Sequence, residues 1–165
     1  MPVLGALSAW WSRRVVLCSV IAGERGVARA RDMEVGCQDE LMLDHLGIQS
    51  RDPSRAASFY DAVLAPLGGA RIMEPAPGVV GYGGADGKPD FWVSPLEEGG
   101  DNRPIHVAFV AADRASVDAF VEAARTFGTE VLHEARLWPE YHPTYYGGFV
   151  RDPDGNNVEA VCHTD

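Results

Sequence analysis

The chain has 165 residues, 46% of them hydrophobic and 23% charged, and its 24 acidic side chains against 14 lysines and arginines give a formal net charge of −10. These are globular proportions, and the acidic balance argues against a nucleic-acid phosphate backbone or an anionic membrane surface as partner. Three cysteines, Cys18, Cys37 and Cys162, form an odd set without CxxC spacing, which excludes a disulfide framework and a zinc knuckle and points to a reducing compartment, the cytoplasm.

Residues 1–41 read as an N-terminal extension. Five arginines and one glutamate give residues 1–31 a local charge of +4 inside an acidic protein. The apolar run 15–22 that follows Arg13-Arg14 is far shorter than the roughly 20 residues a bilayer crossing needs, and Gly23-Glu24-Arg25 is a poor cleavage site for a signal peptide. The Arg-rich, acid-poor composition leaves a mitochondrial leader open. A disordered extension or a start codon placed too far upstream is the plainer reading, because Met42 stands directly before the first patterned strand.

Residues 43–49 alternate as a strand, with Leu46 and Ile48 on one face and His45, Gly47 and Gln49 on the other. Asp52-Pro53 supplies an N-cap and a proline at the first helical position. Ala56, Phe59, Tyr60, Val63, Leu64 and Leu67 then recur at helical spacing until Gly68-Gly69. Three short extended runs follow, near 70–74, 78–83 and 89–94. After the polar loop 97–103 the same order restarts. A strand at 105–110 sets Ile105, Val107 and Phe109 against His106, and Asp113 caps a helix striped by Val117, Phe120, Val121, Ala124 and Phe127 and closed by Gly128. An extended run at 130–134, a longer connection at 135–143 and a terminal hairpin complete the chain.

The hairpin turns at Asp152-Pro153-Asp154-Gly155, with proline at the second turn position and glycine at the fourth. In its second arm Val158, Ala160 and Cys162 alternate with Asn157, Glu159 and Val161, so Glu159 faces away from the apolar trio. A buried carboxylate without a partner costs more than the roughly 2–7 kcal/mol of an unpaired polar group, so something must be paired with Glu159.

The two halves superpose by number. The pairs His45 and His106, Asp52 and Asp113, and Phe59 and Phe120 are each 61 residues apart, which marks an internal repeat. The offset grows to 68 at the Asp-Gly turns, Gly87 and Gly155, so about seven residues were inserted in the second half, with 135–143 the obvious place. The expected architecture is α+β: module one at 42–97 and module two at 104–163, each strand, helix, three strands, within one domain at 42–163. By alternation His45, His106 and Glu159 all point away from the helices. If the two sheets curve toward each other, two imidazoles and a carboxylate converge in a cleft, the donor set of an open divalent metal site, Fe(II) first and Mn, Ni or Zn as alternatives.

The strand-start His45 and His106, followed by the terminal Asp-Pro-Asp-Gly-Asn-Asn-Val-Glu159, resemble the vicinal oxygen chelate superfamily, which includes glyoxalase I, bleomycin-resistance proteins, fosfomycin-resistance enzymes and extradiol dioxygenases. The resemblance covers about 42–163 and implies paired βαβββ modules, a metal-bearing cleft, a small organic substrate that chelates the metal through neighbouring oxygens, and frequent homodimers with ligands drawn from both chains. Glyoxalase I has a further glutamate in the last strand of its first module; aligning Gly87 with Gly155 puts Phe91 there. In the extradiol pattern His142 takes the place of the acid–base histidine, while Gly148 and Phe149 stand where the family has an apolar residue and a tyrosine, leaving Tyr145 or Tyr146 as substitutes. Trp92, Trp138, Tyr141, Tyr145 and Tyr146 are candidate pocket walls, and His133 and His163 read as structural or solvated. The implied function is a lyase, isomerase or ring-cleaving dioxygenase; the alternative is a ligand-sequestering protein of the bleomycin-resistance type.

Overall fold

The computed structural model describes residues 43–164. The N-terminal extension expected at 1–41 lies outside the described residues. Among those described, no helix is long and apolar enough to cross a membrane.

The first module runs β1 (Leu46–Ser50), α1 (Pro53–Leu64), β2 (Ala70–Ala76), β3 (Val79–Gly83) and β4 (Pro89–Pro95), with a 3-10 turn at Ala65–Leu67 after α1. The second repeats it as β5 (His106–Val110), α2 (Arg114–Phe127), β6 (Val131–Leu137), β7 (Tyr146–Arg151) and β8 (Asn157–Cys162). The sheets have the orders β1-β4-β3-β2 and β5-β8-β7-β6. In each the first strand pairs in parallel with the last, and the other pairings are antiparallel. The repeat inferred from the 61-residue offset is therefore a repeat of topology.

Each helix starts where its cap dictates. The Asp52 carboxylate accepts from the Arg55 amide at 3.0 Å, and Asp113 accepts from the Ser116 amide at 2.8 Å, each satisfying a backbone donor that the first helical turn leaves free. The predicted stripes are buried: Ala56, Phe59, Tyr60, Val63 and Leu64 on α1, and Val117, Phe120, Val121 and Ala124 on α2. Both belong to one shared core. Phe59 meets Phe127 edge-on at 5.6 Å and Phe91 meets Phe109 at 5.1 Å, so each aromatic pair joins one module to the other.

A polar bond ties the modules too. The hydroxyl of Tyr60, a fully buried residue of α1, donates to Asp152 Oδ2 at 2.8 Å in the β7–β8 turn. The other donors to that carboxylate are the amides of Asp154 and Asn156 and the Asn156 side chain, at 2.7–3.0 Å. The turn is the expected one, with Gly155 at φ +93° and its amide bonded to the Asp152 carbonyl at 3.1 Å. Its first aspartate and Asn156 also form a buried polar knot that α1 completes.

Two boundaries differ from expectation. The run expected at 130–134 continues to Leu137, so the inserted connection is 138–145 rather than 135–143. In the first module only Pro77 and Gly78 join the equivalent strands. The second difference is a register shift between β3 and β4: Gly83 pairs with Pro89 but Tyr82 with Phe91, so Asp90 is an extra residue. Counting from the turn therefore misplaces everything beyond it by one. Gly47 pairs with Trp92 as its repeat-mate Ala108 pairs with Glu159. Trp92, not Phe91, stands in the position of Glu159, while Phe91 is buried in the shared core.

Candidate active site

Val158, Ala160 and Cys162 of β8 lie in the core against α2, so the alternation of the strand turns Glu159 to the opposite face of the second sheet. Phe149 of β7 stands directly across from it. The carboxylate is covered, with Glu159 only 1% exposed. Its two oxygens have separate partners: the Tyr145 hydroxyl donates to Oε1, and His106 Nε2 lies 3.1 Å from Oε2. Burial raises the Glu159 pKa above the ordinary carboxylate value, against the opposing pull of the Tyr145 hydrogen bond and the His106 charge. The same burial and the carboxylate beside it push the Tyr145 phenol up, so Tyr145 is held as a hydrogen-bond donor.

Rings flank the pair, while His106 stays half exposed. Phe149 lies roughly parallel to His106 at 6.1 Å, and Trp138 and His133 each meet Phe149 edge-on, at 5.2 and 5.6 Å. Trp138 stacks on Tyr141 at 5.6 Å, with the Arg136 guanidinium 3.4 Å over the Trp138 ring. Tyr145 sits edge-on to both Tyr141 and His163, at 5.3 and 5.0 Å. The inserted connection supplies three of these rings, and Trp138 is anchored by its indole N–H to the Gly147 carbonyl at 2.9 Å.

Of the six residues singled out in the sequence, three meet here: His106, Glu159 and Tyr145. His142 is exposed at the surface of the inserted connection, its Nδ1 3.1 Å from the Thr144 hydroxyl and its ring 6.5 Å from His163. Tyr146 points to the helix side, where its hydroxyl donates to Asp118 on α2 at 2.7 Å. His45 precedes β1, exposed, with Nδ1 2.9 Å from Asp44 Oδ1. It lines a different cavity, of about 370 Å³, bordered by Leu43, Leu67, Phe91 and Val110. The expected convergence of His45, His106 and Glu159 does not occur within one chain. Two matched strand starts are carried by two separate sheets, and among the described residues no three His, Cys, Asp or Glu side chains gather into a set that could hold a metal ion. The imidazole and carboxylate that do meet are chemically suited to a divalent cation, and 3.1 Å is a reasonable spacing for neighbouring ligands whose bonds to one ion are about 2.0–2.2 Å.

His133, His163 and Phe149 were not assigned to the site from sequence. Alternation carried the signal for two of them: His163 follows Glu159 by four residues on the same arm, and Phe149 lies on the facing arm of the hairpin. His133 sits beyond a register shift in β6, where alternation fails.

A family model described as a glyoxalase-like domain matches residues 41–161. The chain belongs to that family, within the vicinal oxygen chelate superfamily. Among solved structures, a glyoxalase/bleomycin resistance protein from Albidiferax ferrireducens T118 is 23% identical with a TM-score of 0.64, over 74% of this chain and 99% of that one. A lactoylglutathione lyase from Agrobacterium tumefaciens is 22% identical with a TM-score of 0.56, over 73% and 92%. A glyoxalase/bleomycin resistance protein/dioxygenase family enzyme from Burkholderia phytofirmans PsJN is 19% identical with a TM-score of 0.56, over 73% and 98%. These likenesses establish the glyoxalase-like fold of two tandem modules. No curated protein matches the chain.

Proposed function

We propose that the protein is a metal-dependent enzyme acting on a small organic substrate that presents two neighbouring oxygens. One observation carries the reading: a covered carboxylate, Glu159, set against the imidazole of His106 on a ring-lined face. Burying a carboxylate is costly even where it has partners, and the apolar core on the other face of β8 gains nothing from this one. His106 and Glu159 would hold the divalent cation, Fe(II) first and Mn, Ni or Zn next, and His45 of a second copy would bring the third ligand in a homodimer. When bound, the cation supplies Lewis acidity to an oxygen on which charge builds.

The chain's own residues do the rest. Phe149 and Trp138, themselves buried, shield the carboxylate from water, and the exposed Tyr141 presents flat apolar surface to a planar substrate. His142, exposed on the inserted connection with its ring 6.5 Å from His163, is the proposed proton carrier, to be brought to the substrate by that connection. A lyase or isomerase and a ring-cleaving dioxygenase both fit this arrangement. The sequestering alternative draws its support from the same wall of rings, which would grip an aromatic ligand without any reaction.

Elemental analysis of anaerobically purified protein tests the reading, with one divalent ion per site expected in the wild type and none in Glu159→Gln. Mixing His45→Ala with Glu159→Gln chains should restore one of the two sites in each mixed dimer if the ligands come from different copies. Oxygen uptake on a catechol panel then separates oxygenase from lyase. A folded wild type that takes up no divalent ion, yet binds aromatic ligands, would move the conclusion to sequestration.

A further inference from the structure

The second module differs from the first at one group of positions beside Glu159. The inserted connection ends in Tyr145, whose carbonyl accepts from the Trp138 amide at 2.8 Å and whose amide donates to the His142 carbonyl at 3.0 Å. These bonds fix the backbone that carries the phenol. The ring is wedged between Tyr141 and His163. Two residues on, Gly147 keeps the space open: a Cβ there would lie 3.0 Å from Glu159 Oε1 and 3.1 Å from Tyr145 Cε1. The next tyrosine, Tyr146, is turned to α2 and bonded to Asp118.

We propose that Tyr145 is a positioning residue for the Glu159 carboxylate: its hydroxyl holds Oε1, so that Oε2 stays turned to His106. The inference rests on the metal-centre reading above. It gives the two carboxylate oxygens different tasks, one anchored by the phenol and one left for the cation shared with His106. Outer groups that orient a ligand in this way commonly govern affinity by 10–100-fold. A free carboxylate rotates about its terminal bond over a broad range, and the phenol removes that freedom before any ion arrives. Gly147 is the second part of the device, since a side chain there would push the phenol and the carboxylate apart.

The test uses the full chain as wild type, Tyr145→Phe, Tyr146→Phe and Glu159→Gln. In metal-free protein, the carboxyl carbon resonance of Glu159, identified by its loss in Glu159→Gln, should move in Tyr145→Phe and stay in Tyr146→Phe. In a cobalt(II) titration followed by its visible absorption, Tyr145→Phe should bind about 10–100-fold more weakly than wild type, and Tyr146→Phe within about twofold of wild type. An unmoved resonance in Tyr145→Phe, or an unchanged cobalt affinity, overturns the proposal. A wild type that takes no cobalt defeats the metal-centre reading instead, and the resonance alone then decides whether Tyr145 positions the carboxylate. Should Tyr145→Phe fail to fold, Gly147→Ala disturbs the same contact and is read in the same two ways.

Discussion

Replacing Tyr60 by phenylalanine isolates the polar bond between the modules. The ring stays, with its edge contact to Phe59 at 5.0 Å and its tilted contact to Phe91 at 4.7 Å, so only the hydroxyl leaves. That hydroxyl is fully buried and donates to the Asp152 carboxylate at 2.8 Å. Burial and Asp152 hold the phenol pKa well above its usual value, so it remains a donor throughout any ordinary assay. A hydrogen bond to a charged group contributes about 1.5–3 kcal/mol. Asp152 keeps its bonds from Asp154 and Asn156, so the loss falls near the lower end, about 1.5–2 kcal/mol. In urea this lowers the midpoint by about 1 M with the slope unchanged, and it lowers Tm by roughly 5–12 °C. Tyr82→Phe is the comparison: its hydroxyl donates to the neutral Ala57 carbonyl at 2.9 Å within one module, with Asp61 farther off at 3.2 Å, and should cost about 0.5–1.5 kcal/mol. A Tyr60→Phe loss below about 0.5 kcal/mol, or one smaller than that of Tyr82→Phe, refutes the reasoning that a charged acceptor shared between modules makes this bond the stronger.

Two further perturbations test the site and its packing. Burial raises the Glu159 pKa, so the metal-free folded state holds that proton more tightly than the unfolded chain does; its contribution is fully present below the ordinary value of 4.5 and is lost as pH rises through the raised one. Denaturation across that range should therefore show wild type losing stability relative to Glu159→Gln as pH rises, and parallel curves would refute the assignment. At Gly148 an added Cβ would lie 2.4 Å from Val121 Cγ2 and 3.4 Å from the Ala135 Cα, so Gly148→Ala should destabilise by about 1–3 kcal/mol in a urea melt, and a neutral result would mean that α2 yields at that point.

The features legible in the sequence are those with a period or a local chemical rule. Caps at Asp52 and Asp113, stripes on both helices, and the alternation that faces Glu159 away from Val158 and Ala160 each depend on a few neighbouring residues. The repeat was legible because three unrelated kinds of position shared one offset. What escaped depends on breaks in period. The extra residue Asp90 moved Trp92 into the place that counting gave to Phe91. The connection 138–145 has no period, so nothing local says that Tyr145 reaches Glu159 while Tyr146 reaches Asp118. Asp152 and Asn156 read as turn formers, and their burial against Tyr60 is long-range, 92 residues away in the case of Tyr60. The partner demanded for Glu159 was legible as a need and read as a divalent ion shared with two imidazoles; within the chain one imidazole and one phenol meet the carboxylate.

The asymmetry of the modules yields a last prediction. Trp92 holds in the first sheet the position that Glu159 holds in the second, and His45 precedes β1 as His106 opens β5. The Trp92 ring covers Gly81, where a Cβ would lie 2.8 Å from Cζ3. Trp92→Glu therefore sets a carboxylate at the register position that Glu159 holds in the second sheet, in a space the lost ring leaves open. By number this rebuilds the pair of the second module, yet no phenol arrives with it: Pro77 stands two residues before Val79, as Tyr145 stands two before Gly147. If a carboxylate needs its own positioning donor to hold an ion well, cobalt titration of Trp92→Glu should show no second equivalent with affinity within about tenfold of the first. A second equivalent of matched affinity would mean that an imidazole and a carboxylate on the right register suffice, and Tyr145 would lose its place in the account of the second module as well.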